Sequence, residues 1–71
     1  MGWLPQVNGH VQVMYLDATV PSIKIHPGII TAVVNPTTQT VNVRVGRSGQ
    51  TFAALIRRFD PAVDVYPSYV P

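Results

Sequence analysis

Apolar and polar side chains alternate most clearly between Thr40 and Val45, where Thr40, Asn42 and Arg44 take turns with Val41, Val43 and Val45. A period of two with one apolar face predicts a half-buried strand. His10 to Leu16 reads the same way: Val11, Val13 and Tyr15 share one face and Gln12, Met14 and Leu16 the other, so both faces are at least partly covered. Gly28 opens another apolar run, Ile29 to Val34, and Gln50 to Ile56 gives a fourth strand with Phe52 and Ala54 opposed to Thr51, Ala53 and Leu55; Phe52 and Phe59 both read as core. Ala62 to Tyr66 is long enough for a short closing strand.

The segments between are marked by turn chemistry. Asn8-Gly9 precedes the first strand, Asn35-Pro36-Thr37-Thr38 separates the second from the third, and Gly46-Arg47-Ser48-Gly49 closes the next hairpin. Pro21 and Pro27 predict a long irregular loop over 17–27, with at most a short extended piece at Ile23-Lys24-Ile25. Arg57-Arg58-Phe59-Asp60-Pro61 reads as one tight turn.

Composition agrees with this pattern. Twelve Val, five Ile and six Thr make about a third of the 71 residues β-branched, while Glu is absent and Lys24 is the one lysine. Such side chains suit a pleated strand and crowd a helix. The expected fold is all-β: five short strands closed into a small SH3-like barrel over 9–66, an extended arm over 1–8 and a proline-spaced tail over 67–71. A five-stranded oligonucleotide-binding barrel is the second choice, but no room is seen for its inter-strand helix.

A barrel this short has a thin core, and without Cys no disulfide reinforces it. The formal charge of +2 is too sparse for a nucleic-acid coat or a polybasic membrane anchor. Met1 to Gln6 has neither a basic start nor a long apolar run, so no secretory leader is expected, and no stretch is long enough to span a bilayer. With 46% apolar and only 11% charged residues, apolar surface is expected to remain for neighbouring molecules to cover.

Gly9 to Asp17, Pro27 to Val33 and Thr40 to Val45 together resemble the SH3-like/Tudor-like barrel pattern: a Gly-led first strand ending in an aromatic–x–acidic step, a Pro-Gly before a Val/Ile-rich second strand, then Thr-Val-Asn-Val. The run Gly28 to Val45 is similar to small barrel proteins encoded by tailed bacteriophages. That resemblance implies a virion role, as a capsid-surface or head-associated accessory protein. It would be made in the host cytoplasm and held by viral structural proteins, capsid or head subunits, or by copies of itself. Tudor-type barrels carry acidic residues in the second hairpin; Gly46, Arg47 and Ser48 stand there instead.

No catalytic signature emerges. His10, His26, Asp17, Asp60 and Asp64 lack the helical spacing of a preorganised metal site, and Ser22, Ser48 and Ser68 fall in turns or tail without a local base. Asp17 and Asp60 suit backbone N–H groups at turns. Type II dihydrofolate reductases build an enzyme from such barrels around a tetrameric pore. Their Val-Gln-Ile-Tyr segment is missing here, where the equivalent region reads Ala54-Leu55-Ile56-Arg57. A non-enzymatic protein without metal or cofactor is expected.

Two groups are the candidates for contact with partners. Trp3 and Leu4 precede the barrel and Tyr66, Tyr69 and Val70 follow it, interleaved with prolines that pre-extend the chain and lower the ordering cost of docking. Arg44, Arg47, Arg57 and Arg58 form the candidate basic patch, with Arg forks fitting carboxylates of a protein or phosphates of a nucleic acid. Protein docking is the leading reading. A nucleic-acid-binding or peptide-binding SH3-like module is the alternative.

Overall fold

The computed structural model describes residues 2–17, 19, 22–46 and 51–71. Among these it has no helix and five strands: β1 (His10–Asp17), β2 (Ser22–Asn35), β3 (Thr40–Val45), β4 (Thr51–Arg58) and β5 (Ser68–Val70). They close in the order β1-β2-β3-β4-β5 into a barrel, antiparallel throughout except for the parallel β4–β5 pair. The expected all-β five-stranded barrel is what the chain forms.

β2 supplies the corner. Residues 22–29 pair with β1 and residues 28–35 with β3, so Gly28 is shared, opposite Val11 on one side and Val45 on the other. A Cβ there would stand 3.0 Å from Val13 Cγ2 and 3.5 Å from the Arg44 carbonyl oxygen. A side chain there would require Val13 to give way by a few tenths of an ångström as the strand changes partners. Two register shifts between Ile30 and Asn35 add twist as β2 wraps around β3.

The core is Val11, Val13, Ile30, Val41, Val43, Val45, Ile56 and Tyr69, with Trp3, Tyr15, Val33 and Ala53 packed against it. The valines of β1 and β3 point inward as their alternation requires. Asn35 Oδ1 accepts the Thr37 and Thr38 N–H groups at 3.0 and 3.3 Å, which fixes the expected turn.

Four expectations need correction. Residues 22–27 form regular strand rather than irregular loop, because β1 offers a complete row of partners. Pro27 is tolerated because its carbonyl faces the end of β3, accepting the Gly46 N–H at 2.9 Å. Its missing N–H lies on that same side and takes no bond from β1.

Arg57 and Arg58 complete β4 instead of starting a turn, and the turn begins at Asp60. Asp60 Oδ1 accepts the Ala62 N–H at 3.0 Å, and its carbonyl accepts from Val63 and Asp64 at 3.0 and 2.9 Å. This is the backbone role expected of that aspartate.

The same turn removes the expected strand at Ala62–Tyr66. The closing strand is Ser68–Val70, inside the segment read as a tail, because Tyr69 offers the barrel a large apolar plug and its side chain is 0% exposed.

Finally, Phe52 is 71% exposed rather than core. Val41 pairs with Ile56 but Val43 with Ala53, so β4 carries one extra residue between them. That bulge turns Ala53 and Ile56 inward and leaves Phe52 and Leu55 outside. The expected hairpin over Gly46–Gly49 lies largely outside the described residues, with Arg47 and Ser48.

Candidate docking groove

The N-terminal segment folds back onto the barrel. Asn8 donates to the Ile30 carbonyl at 2.8 Å and Gly9 accepts from Ile30 at 2.9 Å, so residues 8–9 extend the sheet beside β2. Pro5 is buried, and the Trp3 ring meets Tyr69 edge-on at 5.8 Å. Arg58 lies over the other part of this assembly, its guanidinium carbon 5.4 Å from the Trp3 ring centre, a favourable cation–π distance.

Gln39 ties the group together. Its Nε2 donates to the Trp3 carbonyl at 3.1 Å, its Oε1 accepts from Arg58 Nη1 at 3.3 Å, and its backbone carbonyl accepts the Tyr69 hydroxyl at 2.5 Å. It does so with φ of 57°, the left-handed region. Burial pushes the Tyr69 phenol above its ordinary value, with the Arg58 charge pulling the other way. No sequence signal pointed to Gln39, since its role depends on three segments meeting.

Beside this assembly lies a groove of ≈ 430 Å³ between the β2–β3 turn and the β4–β5 connection. Arg57, Arg58 and Asp60 supply its charge; Leu55, Phe59, Pro61, Val63, Val65 and Pro67 supply apolar surface; Thr38, Gln39 and Ser68 complete it. Phe59 is half-buried and tilted against Tyr66 with ring centres 5.8 Å apart. Loss of solvent and the neighbouring Asp64 carboxylate raise the Tyr66 phenol above its ordinary range.

Two details of the wall stand out. Leu55, at the β4 bulge, has φ of 58° and is 66% exposed. Left-handed backbone disfavours a Cβ-bearing residue by about 1–2 kcal/mol. The bulge is held by Asn42 Oδ1, which accepts the Leu55 N–H at 2.9 Å. Ser68 is only 3% exposed, and its Oγ has no hydrogen-bond partner. An unpaired buried hydroxyl costs free energy and calls for an explanation.

The candidate contact residues therefore separate. Trp3 is half-buried, Tyr69 is wholly buried, Tyr66 and Val70 are half-buried, and Leu4 alone of the five is exposed. The two ends fold over this protein's own core because Trp3 and Tyr69 bury each other. Arg57 and Arg58 both line the groove. Arg44 stands on the outer face opposite Phe52, five β4 positions from Arg57, or about 16 Å at the usual rise per residue. Arg47 lies outside the described residues, so the expected four-arginine patch is described only as this separated pair and Arg44.

A second apolar surface lies on the far half of the β1–β2 hairpin, where Leu16 pairs with Ile23 and Met14 with Ile25 on one face. Leu16, Ile23 and Ile25 are exposed. Tyr15, Lys24 and His26 occupy the opposite face, with the Tyr15 and His26 rings 5.8 Å apart. Among the described residues no three His or acidic side chains come together as metal ligands would. Compared with protein-family models, curated proteins and solved structures, the chain finds no match.

Proposed function

We propose that this chain is a non-enzymatic structural docking module, a small SH3-like barrel that works by contact with other proteins. We place it as an accessory component of a bacteriophage virion, at the capsid surface or head. One observation carries the docking part: among the described residues ten large apolar side chains stand exposed, and six of them fall in two groups, Leu55, Val63 and Val65 at the groove and Leu16, Ile23 and Ile25 on the outer face of the hairpin. Isolated exposed hydrophobes are ordinary, but adjoining ones on a chain this small are the usual mark of surfaces that other molecules cover. The virion part rests on the likeness of Gly28 to Val45 to phage-encoded barrels.

Quantitative mass spectrometry of purified particles from the phage that carries the gene is the direct test. A fixed ratio to the major capsid protein, kept through washing with ~0.2 M salt, is the expected result. Loss of the chain between ~50 and ~200 mM salt, with affinity for any duplex DNA, would instead mark phosphate-driven binding. Absence from washed particles would refute the virion role.

A further inference from the structure

We infer that the groove beside β4 receives an extended acidic peptide segment of a partner protein, with a carboxylate against Arg57 and Arg58 and aliphatic side chains on the Leu55–Val63–Val65 wall. This rests on the docking reading above and names the chemistry of the partner.

Charge is the first argument. Arg58 is fixed in place by Gln39 and Trp3, whereas Arg57 has no hydrogen-bond or ion-pair partner among the described residues. Asp60, the nearby acid, already spends an oxygen on the Ala62 N–H. Each guanidinium presents a fork that matches a planar carboxylate, and that of Arg58 is prepositioned.

Leu55 supplies the second. A leucine in left-handed backbone and exposed to water gains nothing within the molecule, where glycine would sit without strain. Strain of this kind gathers at ligand clamps, and here it holds an aliphatic side chain at the rim. Ser68 is the third: the residue lines the groove and its hydroxyl, shut off from solvent, is unpaired, so an occupant that shifts this edge could supply the missing N–H or C=O.

The same wall disfavours nucleic acid. Its surface is valine, leucine and proline, and its one ring is committed to Tyr66, so no aromatic platform is free for stacked bases. At ≈ 430 Å³ the groove lies within the range of clefts that hold small ligands.

The test is selection of a randomised dodecapeptide display library on the immobilised full chain, followed by fluorescence anisotropy with the enriched peptides. Expected are sequences pairing Asp or Glu with aliphatic residues, bound at least about tenfold more weakly by Arg57→Ala and by Leu55→Gly. Leu55→Gly should melt no lower than the parent, so its loss of affinity would report the wall and not the fold. A basic or featureless consensus overturns the inference, as does affinity unmoved by both variants, or a decathymidylate that outcompetes the peptides. If the chain stays on washed particles while the groove variants bind peptide normally, the groove is wrong and the docking reading stands. If the chain is missing from particles but the acidic peptides bind as expected, the virion role fails alone.

Discussion

The two ends of this barrel treat their side chains in opposite ways. Around Gln39 a half-buried tryptophan, a buried tyrosine and an arginine satisfy one another through three hydrogen bonds and two ring contacts. On the far half of the hairpin, β2 residues 22–26 pair only with β1, and β1 beyond Met14 has left β5 behind. Its aliphatic residues face outward. The first end closes a thin core by recruiting both chain segments. The second leaves apolar area that intramolecular packing does not use. In a chain this small, the surface kept open is as informative as the core.

The contrast is easiest to break at Tyr69. Tyr69→Ala should cost about 3–5 kcal/mol and leave a chain without a cooperative melt, whereas Ile25→Ser on the hairpin should stay within ~0.5 kcal/mol. Equal losses in thermal unfolding would mean that the two ends are energetically alike. At the junction between them, Gly28→Ala pushes a methyl against Val13 and should cost about 1–3 kcal/mol, read as a lower urea midpoint at unchanged slope.

Alkaline pH probes the tyrosine end more gently. Because the folded chain holds the Tyr69 proton more tightly than the unfolded one, the stabilisation is complete below the ordinary phenol range and declines as pH rises through the raised value. Tyr69→Phe should flatten that decline while lowering neutral stability by about 1 kcal/mol. Smallest is Leu55→Gly, where relief of the left-handed strain exceeds the added chain entropy by at most about 1 kcal/mol. A clear fall in melting temperature would show that Leu55 supports the fold itself.

Much of the barrel was legible because period-two patterning survives wherever one face is buried. β3 and the core face of β1 were read directly from their valines. The hairpin's first half of β2 was not, because Pro27 looks like a strand breaker until its carbonyl is seen facing the end of β3. The bulge at Leu55 could not be read from alternation: strict period two puts Phe52 on the same face as Ile56, but the extra residue between Ala53 and Ile56 leaves Ile56 inside and Phe52 outside. Tyr69 could not be told from Tyr66 as the buried one, because the strand that holds it, Ser68–Val70, is too short to show a period. Of the groove, Arg57 and Arg58 were legible as cations. Their neighbours Val63 and Val65 were not, because only the Asp60 turn brings that segment alongside β4.

Ring closure also has a kinetic consequence. The β1–β5 pairs join residues 12–14 to 68–70, nearly opposite ends of the sequence. High contact order of this kind places folding in the milliseconds-to-seconds regime, well behind helical domains of equal size. Without residues 68–70 docked the ring cannot close, and β1 would keep an open edge available for mispairing.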